Sequence, residues 1–244
     1  MRVPRIFTGQ VLQAHSTFEL EPRPSQHLAR ALRMREGDSV ILFDGSGGEY
    51  PATISALSKK QVAVSTGAIQ QREVESSLAV HLGIAVSRGE RMDWVVQKAT
   101  ELGVSSISPL LTERTEVKLK GDRAEKKIAH WQQVAISACE QCGRNRIPKI
   151  GTQQPLQTWL DSADAPLKLV LHHRADTLPP GSVAAERAAL LIGPEGGLSE
   201  GEIAAAEQRG FLSLSLGPRV LRTETAPIAA LAILQARWGD MILP

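Results

Sequence analysis

The sequence predicts an α/β protein whose second part holds a largely parallel sheet. Over about the first 70 residues, short apolar runs lie between turn residues, which favours a small β-rich module. Further along, strand-like apolar runs alternate with amphipathic helical stretches. The polar segment 70–77 contains no apolar cluster and indicates a boundary between the two parts.

In the β-rich module, three short apolar or alternating runs predict strands over residues 39–43, 50–54 and 61–64. The pair Asp44-Gly45 is a turn signal at the end of the first of them. One helix is expected over residues 26–34, with Ser25 as its N-cap and Gly37 beyond its end.

The second part alternates strands and helices. Strands are predicted over residues 78–86, 104–111, 168–171, 189–192 and 212–216. Helices are predicted over residues 90–102, 124–142 and 223–238, and a further helix is expected to begin after Ser199. Ser199 and Glu202 form a capping-box pattern, and Gly210 ends that helix. Either Thr223 or Thr225 is expected to cap the last helix.

Composition and charge narrow the class of protein. The net charge of the 244 residues is +2, but residues 1–72 carry an excess of three positive charges and residues 73–244 an excess of one negative charge. Because aromatic residues make up only 4%, any nucleic-acid contact should depend on Arg and Lys rather than on base stacking.

The two cysteines and the chain's hydropathy predict a cytoplasmic protein with reduced thiols and no metal site. Cys139 and Cys142 lie inside a helical pattern, where packing is a better explanation than redox chemistry or zinc binding. No apolar run approaches the ~18 residues that span a bilayer, and the first residues contain no apolar core like that of a signal peptide.

Two glycine-bearing segments follow predicted strands and lead into helices. The first, GPEGG at residues 193–197, is neither a dinucleotide-binding nor a phosphate-binding loop pattern, and it has no lysine. It suits a ligand without a phosphate chain, although a turn in which the glycines serve only the backbone geometry would have the same sequence pattern. The second, residues 217–226, holds Arg222 just before the last helix, either to stabilise a developing oxyanion or to pair with Glu224.

These two segments, GPEGG and LGPRVLRTETA, resemble the signature of the SPOUT class of methyltransferases. Within that class, the sequence closely resembles the family that methylates N3 of one uridine in small-subunit (16S) ribosomal RNA. HLARALRMREGD at residues 27–38, MDWVVQKATELGV at 92–104 and ACEQCGRNRIP at 138–148 support this, and the resemblance covers nearly the whole chain.

The resemblance implies a fold, a methyl donor and partners. Residues 1–72 would form a PUA-like RNA-binding barrel, and residues 73–244 a methyltransferase domain tied in a trefoil knot, within a homodimer that acts on 16S ribosomal RNA of the small subunit. The methyl donor would be S-adenosyl-L-methionine. The residues that would bind it are Leu171, His172, Leu191, Ile192, Gly193, Pro194, Glu195, Gly196, Leu216, Gly217, Val220, Leu221, Arg222 and Thr223.

Methylation of N3 requires loss of the N3 proton, and a fixed cation beside the flanking carbonyl oxygens lowers that cost. We assign this role to Arg222. Glu140, one turn before Arg144, is a candidate general base, although this helical spacing is commonly only an ion pair. Arginines expected to contact RNA are Arg2, Arg5, Arg30, Arg33, Arg35, Arg88, Arg91 and Arg114.

Two other functions remain open. A SPOUT enzyme that methylates the ribose 2′-oxygen of ribosomal or transfer RNA would share the donor site and differ in its product. A non-catalytic RNA-binding ribosome assembly factor would not bind S-adenosylmethionine at all.

Overall fold

The computed structural model describes residues 3–58, 61–172 and 185–241, and these divide into two compact units. The first unit comprises residues 1–75 together with 139–147, and the second comprises residues 76–138 and 148–244. No local pattern in the sequence predicts that the segment 139–147 packs with the N-terminal part of the chain.

The first unit is built on a five-stranded sheet. Its strands are β1 (Arg5–Phe7), β2 (Thr17–Glu19), β3 (Ser39–Phe43), β4 (Tyr50–Leu57) and β5 (Val62–Thr66). They lie in the order β1-β3-β4-β5-β2; β1 and β3 are parallel, and the other neighbours are antiparallel. All three strands predicted in this module are confirmed, and the bounds of β3 are those expected.

Helix α1 (Pro22–Gln26) continues into a π-helical turn over His27–Ala31. The expected N-cap is therefore wrong, because Ser25 lies within α1 and Glu21 precedes it. The buried Ser25 hydroxyl instead donates to the carbonyl of Leu20 at 3.0 Å and accepts from the Val62 amide at 3.2 Å. These bonds attach the helix to β5 and to the segment between β2 and the helix.

The second unit is built on a parallel sheet. Its strands are β6 (Ala79–Ala85), β7 (Val104–Leu111), β8 (Lys149–Ile150), β9 (Gln154–Pro155), β10 (Leu167–Leu171), β11 (Arg187–Ile192) and β12 (Leu212–Leu214). Their order is β12-β10-β11-β6-β7-β8, with β9 beside β7. The predicted strands are confirmed, and 104–111 has the expected bounds.

The helices of this unit are α2 (Arg91–Glu101), α3 (Asp122–Cys142), α4 (Leu156–Ser162), α5 (Glu200–Glu207) and α6 (Thr225–Trp238). The last four residues of α3, from Cys139 to Cys142, belong to the first unit. Helix α2 buries Met92, Val95, Val96 and Ala99, the face that the sequence pattern predicted. Cys139 and Cys142 lie in the last turn of α3, and burial raises the pKa of the Cys139 thiol to about 12. Within the described residues, no helix is long and apolar enough to span a membrane.

Candidate functional site

The site lies where three neighbouring parallel strands end. Strands β12, β10 and β11 are adjacent and parallel, so their carboxyl ends, at Leu214, Leu171 and Ile192, lie side by side at one edge of the sheet. Ligands in open α/β sheets bind at this edge. The ends of these strands, together with described residues of the segments that follow β7, β11 and β12, enclose a cavity of about 240 Å³, which we call the strand-end cavity. It is lined by Arg114, Leu171, His172, residues 192–198, residues 214–217, Arg219, Val220, Leu221, Thr223 and Ala226.

The loop after β11 is a tight turn that needs glycine at two positions. A Cβ on Gly193 would lie 2.9 Å from the backbone nitrogen and Cγ of Leu198. Gly197 has φ +70°, and its amide donates to the Pro194 carbonyl at 2.8 Å. The turn therefore brings backbone groups to the cavity without side chains in between.

The predicted capping box is confirmed at the start of α5. The Ser199 hydroxyl accepts from the Glu202 amide at 3.2 Å, and the Glu202 carboxylate accepts from the Ser199 amide at 2.9 Å. The other oxygen of this carboxylate accepts from the Glu113 amide at 2.8 Å. Glu202 thus joins the loop after β7 to the loop after β11.

A second recess, the arginine groove, adjoins the cavity. It has a volume of about 810 Å³ and is lined by Arg88, Gly89, Glu90, Arg91, Glu113, Arg114, Thr115, Glu116, Glu195 and Gly196. Arg114, Glu195 and Gly196 line both the cavity and the groove, so they form the wall between them.

Glu195 is held by two groups of the segment that follows β6. Its carboxylate accepts from Arg91 Nη1 at 2.7 Å and from the Arg88 amide at 3.3 Å. Partial burial acts to raise the pKa of Glu195, but these hydrogen bonds, its own backbone amide and the Arg91 charge together lower it. Arg91 Nε also lies 3.8 Å from Glu224, so Arg91 lies between two of the cavity loops.

The loop after β12 leads into α6, and the start of this helix differs from the prediction. Neither Thr223 nor Thr225 caps the helix, because Glu224 occupies the N-cap position and makes no side-chain cap bond. Instead the carbonyl of Arg222 accepts from the amides of Thr225 and Ala226, each at 2.9 Å. The side chain of Arg222 is exposed and, among the described residues, forms no ion pair with Glu224.

Most residues expected to bind a donor line the strand-end cavity. Two do not: Leu191 is fully buried in the core of the second unit, and Arg222 is not among the lining residues. His172 lines the cavity and its amide donates to the Leu214 carbonyl at 3.0 Å. His173 lies outside the described residues.

Glu140 and Arg144 belong to the first unit and are engaged there. The Glu140 carboxylate accepts from the Phe7 amide at 3.0 Å. Burial raises the pKa of Glu140, although this hydrogen bond acts to lower it. Arg144 is buried and pairs with Glu75, its Nε donating at 2.9 Å. Both side chains are therefore engaged with partners in the first unit.

The arginines expected to contact RNA fall into three groups. Arg30, Arg33 and Arg35 are exposed on the first unit, and Arg33 has the left-handed φ of +52°. Arg5, in contrast, has a side chain only 4% exposed, which corrects its expected contact with RNA; it pairs with Glu49 and donates to Asn145 Oδ1 at 2.5 Å. Arg88, Arg91 and Arg114 line the arginine groove, and Arg2 lies outside the described residues.

Two cavity-lining arginines were not assigned to the donor site from the sequence. Arg219 lies inside the LGPRVLRTETA segment, but only neighbouring residues of that segment were assigned to the donor site from the sequence. Arg114 is 82 residues from Gly196, and its Nη1 donates to the Gly196 carbonyl at 2.7 Å. Only the strand order brings Arg114 next to Gly196, so no local sequence pattern predicts this contact.

Comparisons with known proteins agree with this geometry. The model of the RNA methyltransferase domain matches residues 74–235, and that of the RNA methyltransferase PUA domain matches residues 25–66. Ribosomal RNA small subunit methyltransferase E of Buchnera aphidicola subsp. Schizaphis graminum is 35% identical over 98% of each chain. Its counterpart from Bacillus subtilis is 31% identical over 93% of each chain.

Solved structures extend the similarity to the fold. A Legionella pneumophila methyltransferase in complex with bound SAM superposes with a TM-score of 0.94 at 44% identity, covering 99% of this chain and 100% of its own. Ribosomal RNA small subunit methyltransferase E from Neisseria gonorrhoeae, bound to S-adenosyl methionine, gives 0.92 at 35% identity and covers 98% and 100%.

Proposed function

This chain belongs to the family of ribosomal RNA small subunit methyltransferase E, and from that membership we propose that it methylates N3 of one uridine in 16S ribosomal RNA with S-adenosylmethionine as methyl donor. The strand-end cavity is the observation that carries the proposal. It lies at the carboxyl edge of a parallel sheet, and two of the segments that line it bear the GPEGG and LGPRVLRTETA sequences.

The residues of the cavity suit this donor. No lysine is among the described residues that line it, in keeping with a ligand that has no phosphate chain. Because Gly193, Gly196 and Gly197 have no side chains, backbone groups of this turn would be able to approach the adenine and ribose of a bound donor closely. When bound, S-adenosylmethionine supplies a methyl group activated by a sulfonium charge. The residues that line the cavity would hold it in place and so lower the barrier by positioning.

We assign donor binding to the described residues that line the strand-end cavity. The side chain of Leu191 lies in the core, so its part is limited to shaping β11. Arg222 remains our candidate for a cation near the uracil, because its backbone is fixed by the first turn of α6 and its guanidinium has no carboxylate partner among the described residues. Glu140 and Arg144 are assigned to the architecture of the first unit instead of to catalysis.

The first unit is assigned to RNA binding. It contains the match to the RNA methyltransferase PUA domain, and Arg30, Arg33 and Arg35 are exposed on it. Exposed arginines contact phosphates and set affinity more than sequence choice. The target in this proposal is the 16S RNA of the small ribosomal subunit.

We further propose a homodimer formed through the second unit. Helices α2 and α6 pack on each other, yet Trp94 on α2 is 50% exposed and Ile233 on α6 is 43% exposed. Large apolar side chains left exposed on neighbouring helices favour association with a second copy. Light scattering should give twice the chain mass of 26.4 kDa, and substitution of both residues by Glu should give the monomer mass.

Nucleoside analysis tests the methylation directly. The purified protein is incubated with labelled donor and small ribosomal subunits that lack this modification, and in parallel with free 16S RNA; the RNA is then digested and its nucleosides are separated. We expect 3-methyluridine as the labelled product. A labelled 2′-O-methyl nucleoside would replace the proposal with ribose methylation. Calorimetry that detects no donor binding would favour a non-catalytic assembly factor.

A further inference from the structure

Arg114 differs in its environment from the two other arginines of the groove. Arg88 pairs with Glu116, and Arg91 pairs with Glu195. Arg114 forms no ion pair among the described residues; one N–H donates to the Gly196 carbonyl at 2.7 Å. A guanidinium has five N–H donors, so most of its hydrogen-bonding capacity and its full charge remain available.

The backbone around Arg114 is fixed by the turn that follows β7. The Thr115 hydroxyl accepts from the Thr112 amide at 3.0 Å and lies 2.8 Å from the Thr112 hydroxyl, and both threonines are buried. The next amide, that of Glu113, donates to Glu202 at 2.8 Å. Arg114 is therefore presented by a rigid element, as a preorganised charge requires.

The side chain of Arg114 lies flat against the donor loop. A Cβ built on Gly196 would be 3.3 Å from Arg114 Cδ and 3.4 Å from its Cβ, so the absence of a side chain at position 196 makes room for the arginine. Of the basic residues described in the structure, Arg114 alone lines both the strand-end cavity and the arginine groove. Its charge is located between the proposed donor site and the recess beside it.

We propose that Arg114 is a catalytic residue that contacts a uracil carbonyl oxygen of the target nucleotide and stabilises the N3 anion. The inference rests on the proposed function. The arginine groove then admits the target nucleotide, and the wall formed by Arg114, Glu195 and Gly196 is where the base meets the donor. Arg222 is the second cation of the site in this scheme, and Arg114 is the one held in the cavity wall.

In the reaction, the N3–H bond breaks, its electron pair stays on N3, and the proton passes to solvent water. Negative charge spreads onto the flanking carbonyl oxygens, where the guanidinium of Arg114 donates hydrogen bonds. The N3 pair forms the bond to the methyl carbon as the carbon–sulfur bond breaks, with that pair remaining on sulfur. Arg114 acts on the first of these events, because it lowers the cost of the anion.

The test compares Arg114→Gln with the wild type on RNA that contains either uridine or 5-fluorouridine at the target, over a range of pH. Fluorine makes N3–H more acidic, so it supplies what the variant lacks. We expect a loss of about 100- to 1000-fold in single-turnover rate on uridine at neutral pH, the usual effect of removing an oxyanion donor. The deficit should shrink at alkaline pH and on 5-fluorouridine. Arg114→Lys, which keeps the charge, should recover part of the rate.

Two further measurements separate catalysis from architecture. Calorimetry should give a donor affinity for Arg114→Gln within about threefold of the wild type. A matched control, Arg88→Gln in the same groove, should weaken RNA binding but keep the wild-type ratio of rates on the two RNAs. An equal loss on both RNAs at every pH, or a loss of donor affinity as large as that of the rate, would overturn the proposal. Failure of the wild type to form 3-methyluridine would instead refute the proposed function.

Discussion

Gly83 is a position where the addition of a single methyl group should destabilise the protein. It lies in β6, and a Cβ built on it would be 2.5–2.8 Å from the indole ring of Trp159, which is itself fully buried. A close-packed interior relieves such an overlap only by shifting backbone or ring. We expect Gly83→Ala to lower the free energy of unfolding by about 1–3 kcal/mol, measured by urea denaturation.

Gly151→Ala is the matched control for this substitution. Its nearest neighbour would be the Ser108 hydroxyl at 3.6 Å, which is an ordinary contact distance. We expect its urea midpoint to lie close to that of the wild type. Equal stability of the Gly83 and Gly151 variants would show that the interior at Trp159 is looser than the structure indicates.

Helix α5 depends on its N-terminal cap. The Ser199 hydroxyl satisfies the Glu202 amide, and the reciprocal bond of the Glu202 carboxylate completes the box. Ser199→Ala should therefore cost about 1 kcal/mol of stability. Ser137→Ala, at an exposed position inside α3, serves as control and should leave stability unchanged or slightly higher, since alanine favours a helix interior. A Ser199→Ala protein as stable as the control would contradict the role of the cap.

Helices α2 and α3 are joined by a carboxylate whose charge makes stability depend on pH. Asp93 accepts from His130 at 2.7 Å, from Trp131 at 2.9 Å and from Lys127 at 3.1 Å. Burial acts to raise the pKa of Asp93, but these partners together lower it. With the folded pKa below the unfolded value of about 3.9, the stabilisation is complete above that value and is lost as pH falls through the folded pKa.

The variant Asp93→Asn should accordingly be less stable than the wild type at pH 7, and the gap should narrow as the pH falls below about 4. Urea denaturation at several pH values measures it. Asp164→Asn, which removes a surface pair with Arg187, should show almost no gap at any pH. A gap for Asp93→Asn that stays constant as the pH falls through the acid range would mean that the carboxylate charge is not the source of the stabilisation.

Helices and strands with clear periodicity or capping residues could be predicted from the sequence, and short or irregular elements could not. Helix α5 was located because its capping residues and Gly210 are local signals. The two-residue strands β8 and β9 carry too few residues for any periodicity. Helix α1 begins at Pro22, earlier than predicted, because its N-terminal turn relies on proline at the first position and not on a polar cap.

At the scale of the whole molecule, the sequence located the donor loops but not the wall beside them. GPEGG and LGPRVLRTETA are contiguous, so their likeness to a known signature was sufficient. The contact of Arg114 with Gly196 and the tie of Glu202 to Glu113 join residues far apart in the chain, and they follow from strand order. The packing of residues 139–147 with the first unit is non-local in the same way. The trefoil knot stays a prediction.

If the first unit binds RNA as proposed, its exposed arginines should make the affinity for RNA depend on salt. If Arg30 and Arg33 each neutralise one phosphate of a single strand, their replacement by alanine should reduce the slope of log affinity against log salt by about 1.4. Filter binding or fluorescence anisotropy at several salt concentrations measures this slope. Arg187→Ala is the control, because Arg187 begins β11 at the edge of the sheet opposite the strand-end cavity. Phosphate contacts are independent of sequence, so the double variant should lose affinity for target and non-target RNA alike. An unchanged slope would move the RNA contact away from these two arginines and leave the arginine groove as the main site of phosphate binding.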